Sequence, residues 1–349
     1  MPTIREIAAK SGYSPATVSR LLNNDPSFSI SDHARKKILQ TAQNLNYQQP
    51  NATHGLAYHI AAIFAVQPKQ ELEDIYFSNL RQSLVERGKQ ANLTLTFYPD
   101  IDHIATDIDG VVAVGEFDST ALQQLRQLTP HRVFVDSNPD PHHFNSVQPN
   151  LQAIVEEAID QLIAAGDTPI GLINGGYWNK DQQVTHQQDP RQKYFESRLR
   201  ELQLFDSRFL FIGGEFSVAG GYRLGQQVVQ SLSKQALPKG FLVGSDPLAV
   251  GVLQAFNENK ITVPTDTAII SINDIDIARY VSPPLTTFHI DTDDLAAQAI
   301  TTLKDSIIFD RPHKRMVLVD AKLVYRKSFP QPTSKDGTGL QQVKTDDQS

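Results

Sequence analysis

The sequence contains no cysteine. That rules out a disulfide framework and any thiolate metal site, and it suits a reducing cytoplasm. No run is long or apolar enough to span a membrane. The first residues carry Arg5, Glu6 and Lys10 and lack the apolar core of an export signal. No G-x-G-x-x-G or Walker pattern marks a phosphate site, although Gly175-Gly176, Gly213-Gly214 and Gly220-Gly221 read as turns beside strands. No nucleophile elbow is present. His142-His143 follows Pro141, but adjacent histidines need not converge on a metal, and this pair reads as a loop. Catalytic residues, metal and cofactor are therefore all expected to be none, and the location cytoplasmic.

What remains is an ordinary globular composition, 40% hydrophobic and 20% charged over 349 residues, enough for two or three cores. The net charge of -7 is unevenly placed. Residues 1–58 hold six basic side chains (Arg5, Lys10, Arg20, Arg35, Lys36, Lys37) against Glu6, Asp25 and Asp32, a balance of +3 that leaves -10 on the remainder. A basic head on an acidic body is the electrostatic pattern of a nucleic-acid-binding end.

Local signals divide that head into three helices. Thr3-x-x-Glu6 is a capping box opening a helix over residues 4–10. Ser11-Gly12-Tyr13 makes a tight turn. Ser14 is a good N-cap and Pro15 suits the first helical position. In the helix that follows, Val18, Leu21 and Leu22 share one face, while Ala16, Thr17 and Arg20 share another. The outer face is small, hydroxylated and cationic, which suits close approach to the DNA major groove. A third helix from Ser31 lines up Ala34, Ile38, Ala42 and Leu45. Helix, Gly-containing turn, helix is the helix-turn-helix layout.

Pro50 stops the third helix, and residues 51–57 could form two turns too short to be stable alone. From residue 59 strand and helix alternate. Strands are expected at 60–66, 93–98, 110–114, 132–136, 170–173, 209–212, 240–243 and 268–272. Helices are expected at 74–90, 120–128, 151–164 (ended by Gly166), 191–202, 218–232 and 248–259. Asp291, Asp293 and Asp294 read as the charged start of a further helix. Such alternation predicts doubly wound parallel sheets, and the length fits two lobes with a ligand cleft at the strand C-termini. The polar end, residues 327–349, is expected to be a disordered tail.

Thr3-Ile4-Arg5-Glu6-Ile7-Ala8, Ser14-Pro15-Ala16-Thr17-Val18-Ser19-Arg20, Leu22-Asn23 and Leu45-Asn46-Tyr47 together resemble the headpiece of the lac/gal repressor family of bacterial transcription regulators. The resemblance continues through Gly244-Ser245-Asp246-Pro247-Leu248-Ala249-Val250-Gly251, Ser271-Ile272-Asn273-Asp274-Ile275 and Ser282-Pro283-Pro284-Leu285-Thr286-Thr287, over about residues 3–326. It implies an all-α helix-turn-helix headpiece (1–47), a hinge (48–58) and a two-lobed α/β body like a periplasmic sugar-binding protein (59–326). It also implies that Ala16, Thr17, Ser19 and Arg20 face DNA, with Arg20 the base reader and Thr3, Ser14, Asn23 and Tyr47 alongside. By the same resemblance Leu56 would wedge into the minor groove and Thr53 would sit at a small-residue contact. Gly55 departs from what a hinge helix prefers.

In the body the resemblance points to Asp136 as acceptor of sugar hydroxyls, Arg191 as donor, Phe216 as the stacking ring, and Ser245 and Asn273 as the rest of a polar ring. Tyr76 and Phe77 would flank the pocket, and Asp246 and Asp274 would hold the cleft. The implied protein is a sugar-responsive regulator, a repressor of a galactose or galactoside operon, binding a palindromic operator. It would be a homodimer, because the tail lacks the Leu-heptad helix of tetrameric members. A sugar-binding transport protein is the alternative reading, and it would need an export signal. A sugar-processing enzyme would need an acid/base or nucleophile set.

Overall fold

The computed structural model describes residues 2–22, 28–45, 47, 58–65, 75–176, 188–309 and 313–331. The N-terminal unit holds α1 (Ile4–Ser11), α2 (Pro15–Leu22) and α3 (Asp32–Asn44). Thr3 and Glu6 form the expected capping box. Gly12 caps α1 at φ 76°, the left-handed conformation that lets the chain turn sharply into α2. The Ser14 hydroxyl accepts the Thr17 N–H at 3.0 Å, and the Ser31 hydroxyl accepts the Ala34 N–H at 3.3 Å. Ile7, Ala8, Val18, Leu21, Ile38 and Ala42 form a small buried core, covered by Tyr13, Phe28, Ile30, Leu45 and Tyr47.

The body contains β1 (Tyr58–Phe64), α4 (Ile75–Gln90), β2 (Leu93–Tyr98), β3 (Gly110–Val114), α5 (Ser119–Leu128), β4 (Arg132–Val135), β5 (Asn145–Pro149), α6 (Leu151–Ala165) and β6 (Ile170–Asn174). It continues with α7 (Pro190–Glu201), β7 (Leu210–Ile212), α8 (Val218–Ser231), β8 (Gly240–Val243), α9 (Asp246–Glu258), β9 (Ala268–Asn273) and α10 (Ile277–Tyr280). The last elements are β10 (Thr286–His289), α11 (Thr292–Phe309), β11 (Met316–Val319) and β12 (Lys322–Val324).

Two six-stranded sheets result, in the orders β11-β5-β4-β3-β1-β2 and β12-β10-β9-β8-β6-β7. The first is wholly parallel, and the second is parallel apart from the β10–β12 edge pair. Strands such as β3, Gly-Val-Val-Ala-Val, are buried throughout because helices cover both faces. Among the described residues, no helix is long and apolar enough to cross a membrane.

The expected elements lie within two residues of the observed ones. Strands β5, β10, β11 and β12 and the short helix α10 are not among the expected elements. The chain passes between the sheets three times: after β5, after β10 and after β11. Two of these passages are stitched together, since Asn150 donates Nδ2–H to Asp320 at 2.8 Å and its N–H to the Val319 carbonyl at 2.8 Å. At the third, the Asp291 carboxylate accepts the N–H groups of Asp293 and Asp294 and so opens α11, as the charge cluster suggested. Arg87 on α4 pairs with Asp293 beside it.

The expectation of a tail from residue 327 needs correction at its start. Ser328 and Phe329 are buried. The Ser328 hydroxyl donates to the Ile269 carbonyl at 2.7 Å, and Thr286 Oγ1 donates to the Phe329 carbonyl at 2.7 Å. Polar composition misled here because these hydroxyls are spent on backbone groups inside the second lobe. The expected residues Asn23, Thr53 and Leu56, and residues 48–57 of the expected hinge (48–58), lie outside the described residues.

Candidate functional site

On the N-terminal unit, α2 buries Val18 and Leu21 and turns Ala16 and Arg20 to solvent, with Thr17 and Ser19 half-buried. The hydroxyls of Ser14 and Thr17 lie 2.8 Å apart at the start of the helix. Arg20 sits over the Phe28 ring at 5.1 Å, so its guanidinium leaves the helix in a set direction. Thr3 is exposed at the start of α1. Tyr47 is half-buried against the core, and its N–H donates to the Ala42 carbonyl at 3.0 Å. The face that results combines hydroxyls, small side chains and one planar cation. These are groups that read phosphate and guanine edges.

In the body the cleft residues come from both lobes. Asp136 follows β4 and adopts φ 69°, in the left-handed region that a residue with a Cβ rarely occupies. That turn swings its carboxylate off the strand end. Tyr76, buried on α4, donates its hydroxyl to Asp136 Oδ1 at 2.9 Å. Burial pushes the Asp136 carboxyl up to about 6; the Arg191 guanidinium and the Tyr76 hydroxyl oppose this, and the Asp189 carboxylate adds to it. Asp136 and Arg191 therefore sense each other electrostatically across the two lobes.

Local rules fix Arg191. Asp189 is the N-cap of α7 and accepts the Arg191 N–H at 2.9 Å, with Pro190 at the first turn. The same Asp189 holds Arg191 Nη1 at 3.1 Å. The guanidinium carbon lies 5.1 Å from the centre of the Phe216 ring. Phe216 stands just before α8, whose N-cap Ser217 accepts the Gly220 N–H at 3.1 Å. A carboxylate, a phenol, a guanidinium and an aromatic face thus converge. A polyhydroxylated ring needs this set: bidentate groups for its hydroxyls and an apolar plane for its C–H side.

Ser245 and Asn273 follow a different pattern. Ser245 is buried, and its hydroxyl caps α9 by accepting the Leu248 N–H at 3.4 Å. Asn273 ends β9, buried, at φ 115°. Both stand at C-terminal strand ends, and among the described residues no hydrogen bond joins either of them to Tyr76, Asp136, Arg191 or Phe216. Phe77 packs edge-on to Tyr76, ring centres 5.2 Å apart.

Asp246 and Asp274 are engaged by other protein groups. Asp246 accepts the Ile275 N–H at 2.9 Å and the Thr287 hydroxyl at 2.7 Å, and burial pushes it up to about 7. Asp274 is ion-paired with Arg326 and with His289. His143 meets Asp140 at 2.7 Å, as a loop residue. Sequence reasoning missed Asn174, at the end of β6 and fully buried. The only available signal was its place before Gly175-Gly176.

Fold and cleft define a class: a two-lobed ligand-binding body joined to a helix-turn-helix head. Residues 3–51 match the bacterial regulatory proteins of the lacI family, and residues 159–329 match the periplasmic binding protein-like domain. The transcriptional regulator GanR of Bacillus subtilis (strain 168) is 41% identical over 332 residues, covering 94% of this chain and 100% of GanR. LacR of Lactobacillus helveticus is 40% identical over 335 residues, covering 94% and 98%. GalR of Lacticaseibacillus casei is 31% identical over 333 residues, covering 94% and 99%. The chain belongs to the lacI family of helix-turn-helix transcriptional regulators. Its fold is similar to that of the lac repressor dimer bound to operator and the anti-inducer ONPF, with a TM-score of 0.63, 20% identity and coverage of 94% and 99%. It is also similar to the transcriptional regulator CelR in its cellobiose complex, with a TM-score of 0.66, 18% identity and coverage of 94% and 100%.

Proposed function

We propose that the protein controls a carbohydrate-utilisation operon as a homodimeric repressor, reading a palindromic operator with α2 and a small saccharide with the cleft. The observation that carries this reading is the convergence of Tyr76–Asp136 from one lobe with Arg191–Phe216 from the other. Residues 1–47 act as the head, 48–58 as the hinge, and the body runs from 59 past 326 to 331. Thr3, Ser14, Ala16, Thr17, Ser19, Arg20, Asn23, Tyr47, Thr53 and Leu56 serve DNA, and no residue serves catalysis. Closure of the lobes on a sugar changes the spacing of the paired hinges, and operator affinity changes by a coupling energy of about 1–3 kcal/mol. The favoured effector is galactose or a galactoside; the stretches 271–275 and 282–287 and the relatives named LacR and GalR support it. A reducing cytoplasm suits a cysteine-free chain of this kind.

Calorimetry with a panel of mono- and disaccharides names the effector, and a gel shift with and without it gives the sign of the response. Arg191→Ala is expected to abolish the sugar response while operator binding persists. A variant still released by sugar would remove Arg191 from the site. A chain that binds no saccharide of the panel would overturn the effector assignment.

A further inference from the structure

Asn174 and Arg191 each leave one buried hydrogen-bonding atom without a partner among the described residues: Asn174 Oδ1, an acceptor, and Arg191 Nε, a donor. Part of each side chain is engaged elsewhere. Asn174 donates Nδ2–H to the Gly175 carbonyl at 3.2 Å, and Arg191 donates Nη1–H to Asp189 at 3.1 Å. Both atoms belong to the surroundings of Phe216. The Arg191 guanidinium lies 5.1 Å from the ring centre. A Cβ placed on Gly244 would meet Asn174 Oδ1 at 1.9 Å and the Phe216 ring at 3.3 Å, so amide and ring share the bare surface of that glycine. A Cβ on Gly175 would strike the ring at 2.5 Å. Two glycines at adjacent strand ends thus let an aromatic plane and an amide oxygen lie flat on the backbone. A packing role for Asn174 accounts for its shape but not for an acceptor left open, since an unpaired buried polar group costs stability.

An unpaired acceptor and an unpaired donor in the surroundings of one aromatic ring have the complementary chemistry for a single hydroxyl, which donates one bond and accepts others. We propose that Asn174 is a specificity-determining residue of the cleft, which together with Arg191 reads one hydroxyl of a pyranose stacked on Phe216. The hydroxyl donates to Asn174 Oδ1 and accepts from Arg191 Nε. This rests on the saccharide reading above and adds a rule of selection. Sugars that keep the C–H face but lack that hydroxyl leave both buried atoms unpaired, and a site built on hydrogen bonds rejects such analogues far more strongly than an apolar pocket rejects a missing methylene.

The test takes the tightest-binding sugar of the panel, with each of its monodeoxy and monodeoxyfluoro analogues, in calorimetry on the full chain. In the wild type one deoxy position is expected to cost tenfold or more. In Asn174→Ala, or in the bulkier Asn174→Leu, that penalty is expected to shrink below threefold while the penalties at other positions stay. Asn174→Asp keeps an acceptor and should keep the discrimination, and thermal unfolding shows which variants fold. The wild type alone gives a second reading. Fluorine cannot donate a hydrogen bond, so the fluoro analogue at the critical position should bind as poorly as the deoxy one. Discrimination unchanged in Asn174→Ala and Asn174→Leu, or a fluoro analogue that binds like the parent at every position, overturns the proposal and leaves the saccharide reading standing. If no saccharide binds the wild type, both fall.

Discussion

At the scale of single residues, two side chains make the reading sharp. Arg20 leaves α2 over Phe28 and presents a planar fork, which suits bidentate contact with a guanine edge. Arg20→Ala is expected to weaken operator binding by about 1–3 kcal/mol and to flatten preference at one base-pair position. Binding measured across single-base operator variants checks this, and equal losses on every variant would count against base reading. Asp136 supplies a pH test. Its carboxyl, raised by burial to about 6, is mostly ionised at pH 7.5 and mostly protonated at pH 5. Protonation removes the charge and leaves a weaker acceptor for the sugar hydroxyls. Sugar affinity should therefore fall by about tenfold between these pH values, and Asp136→Asn should bind weakly with no such slope. The exposed place of Arg20 on α2 and the place of Asp136 at the end of β4 were legible because helix and strand could be read there. Asn174 was not, because what distinguishes it is an orphaned oxygen, which only neighbours 70 residues away in the chain reveal.

At the scale of elements, the buried carboxylate of Asp246 ties three pieces together: the start of α9, the turn after β9 through the Ile275 N–H, and β10 through the Thr287 hydroxyl. Burial raises its pKa from 3.8 to about 7, so the folded chain holds this proton more tightly than the unfolded chain does. The resulting stabilisation is full below pH 3.8 and is lost as pH rises through about 7. Thermal unfolding of wild type should accordingly show a falling contribution between about pH 4 and pH 7 that Asp246→Asn lacks, and identical slopes would sink the assignment. Elements with clear ends were readable from sequence: α6 was expected over 151–164, and Gly166 ends it, while Ile154, Val155, Ala158, Ile159 and Leu162 form its buried stripe. β5 was not readable. Asn145 and Ser146 are polar yet buried, and the strand holds because Asn145 Oδ1 accepts the Arg315 N–H at 2.9 Å from far along the chain. β11 and β12 are short edge strands fixed by pairing rather than by composition.

At the scale of the molecule, apolar side chains stay exposed on the helices of the second lobe: Val218 on α8, and Ile277 and Tyr280 on α10, with Tyr280 82% exposed. The proposed homodimer would cover such side chains. Tyr280→Glu is expected to shift the protein from dimer towards monomer in sedimentation and to weaken binding to a palindromic operator more than to a single half-site. A variant that sediments unchanged would place the contact elsewhere. The two-lobed plan was legible because alternation of strand and helix allows few arrangements. The return of the chain to the first sheet was not, since β11 carries no sign of which sheet it joins. That return has an evolutionary consequence. Each lobe is assembled from separated stretches, so no uninterrupted piece of the gene encodes one complete lobe. Recombination can graft a new head before residue 58, but it cannot exchange one half of the clamp in a single crossover. Point changes along the cleft are a route to new effector preferences that needs no such exchange.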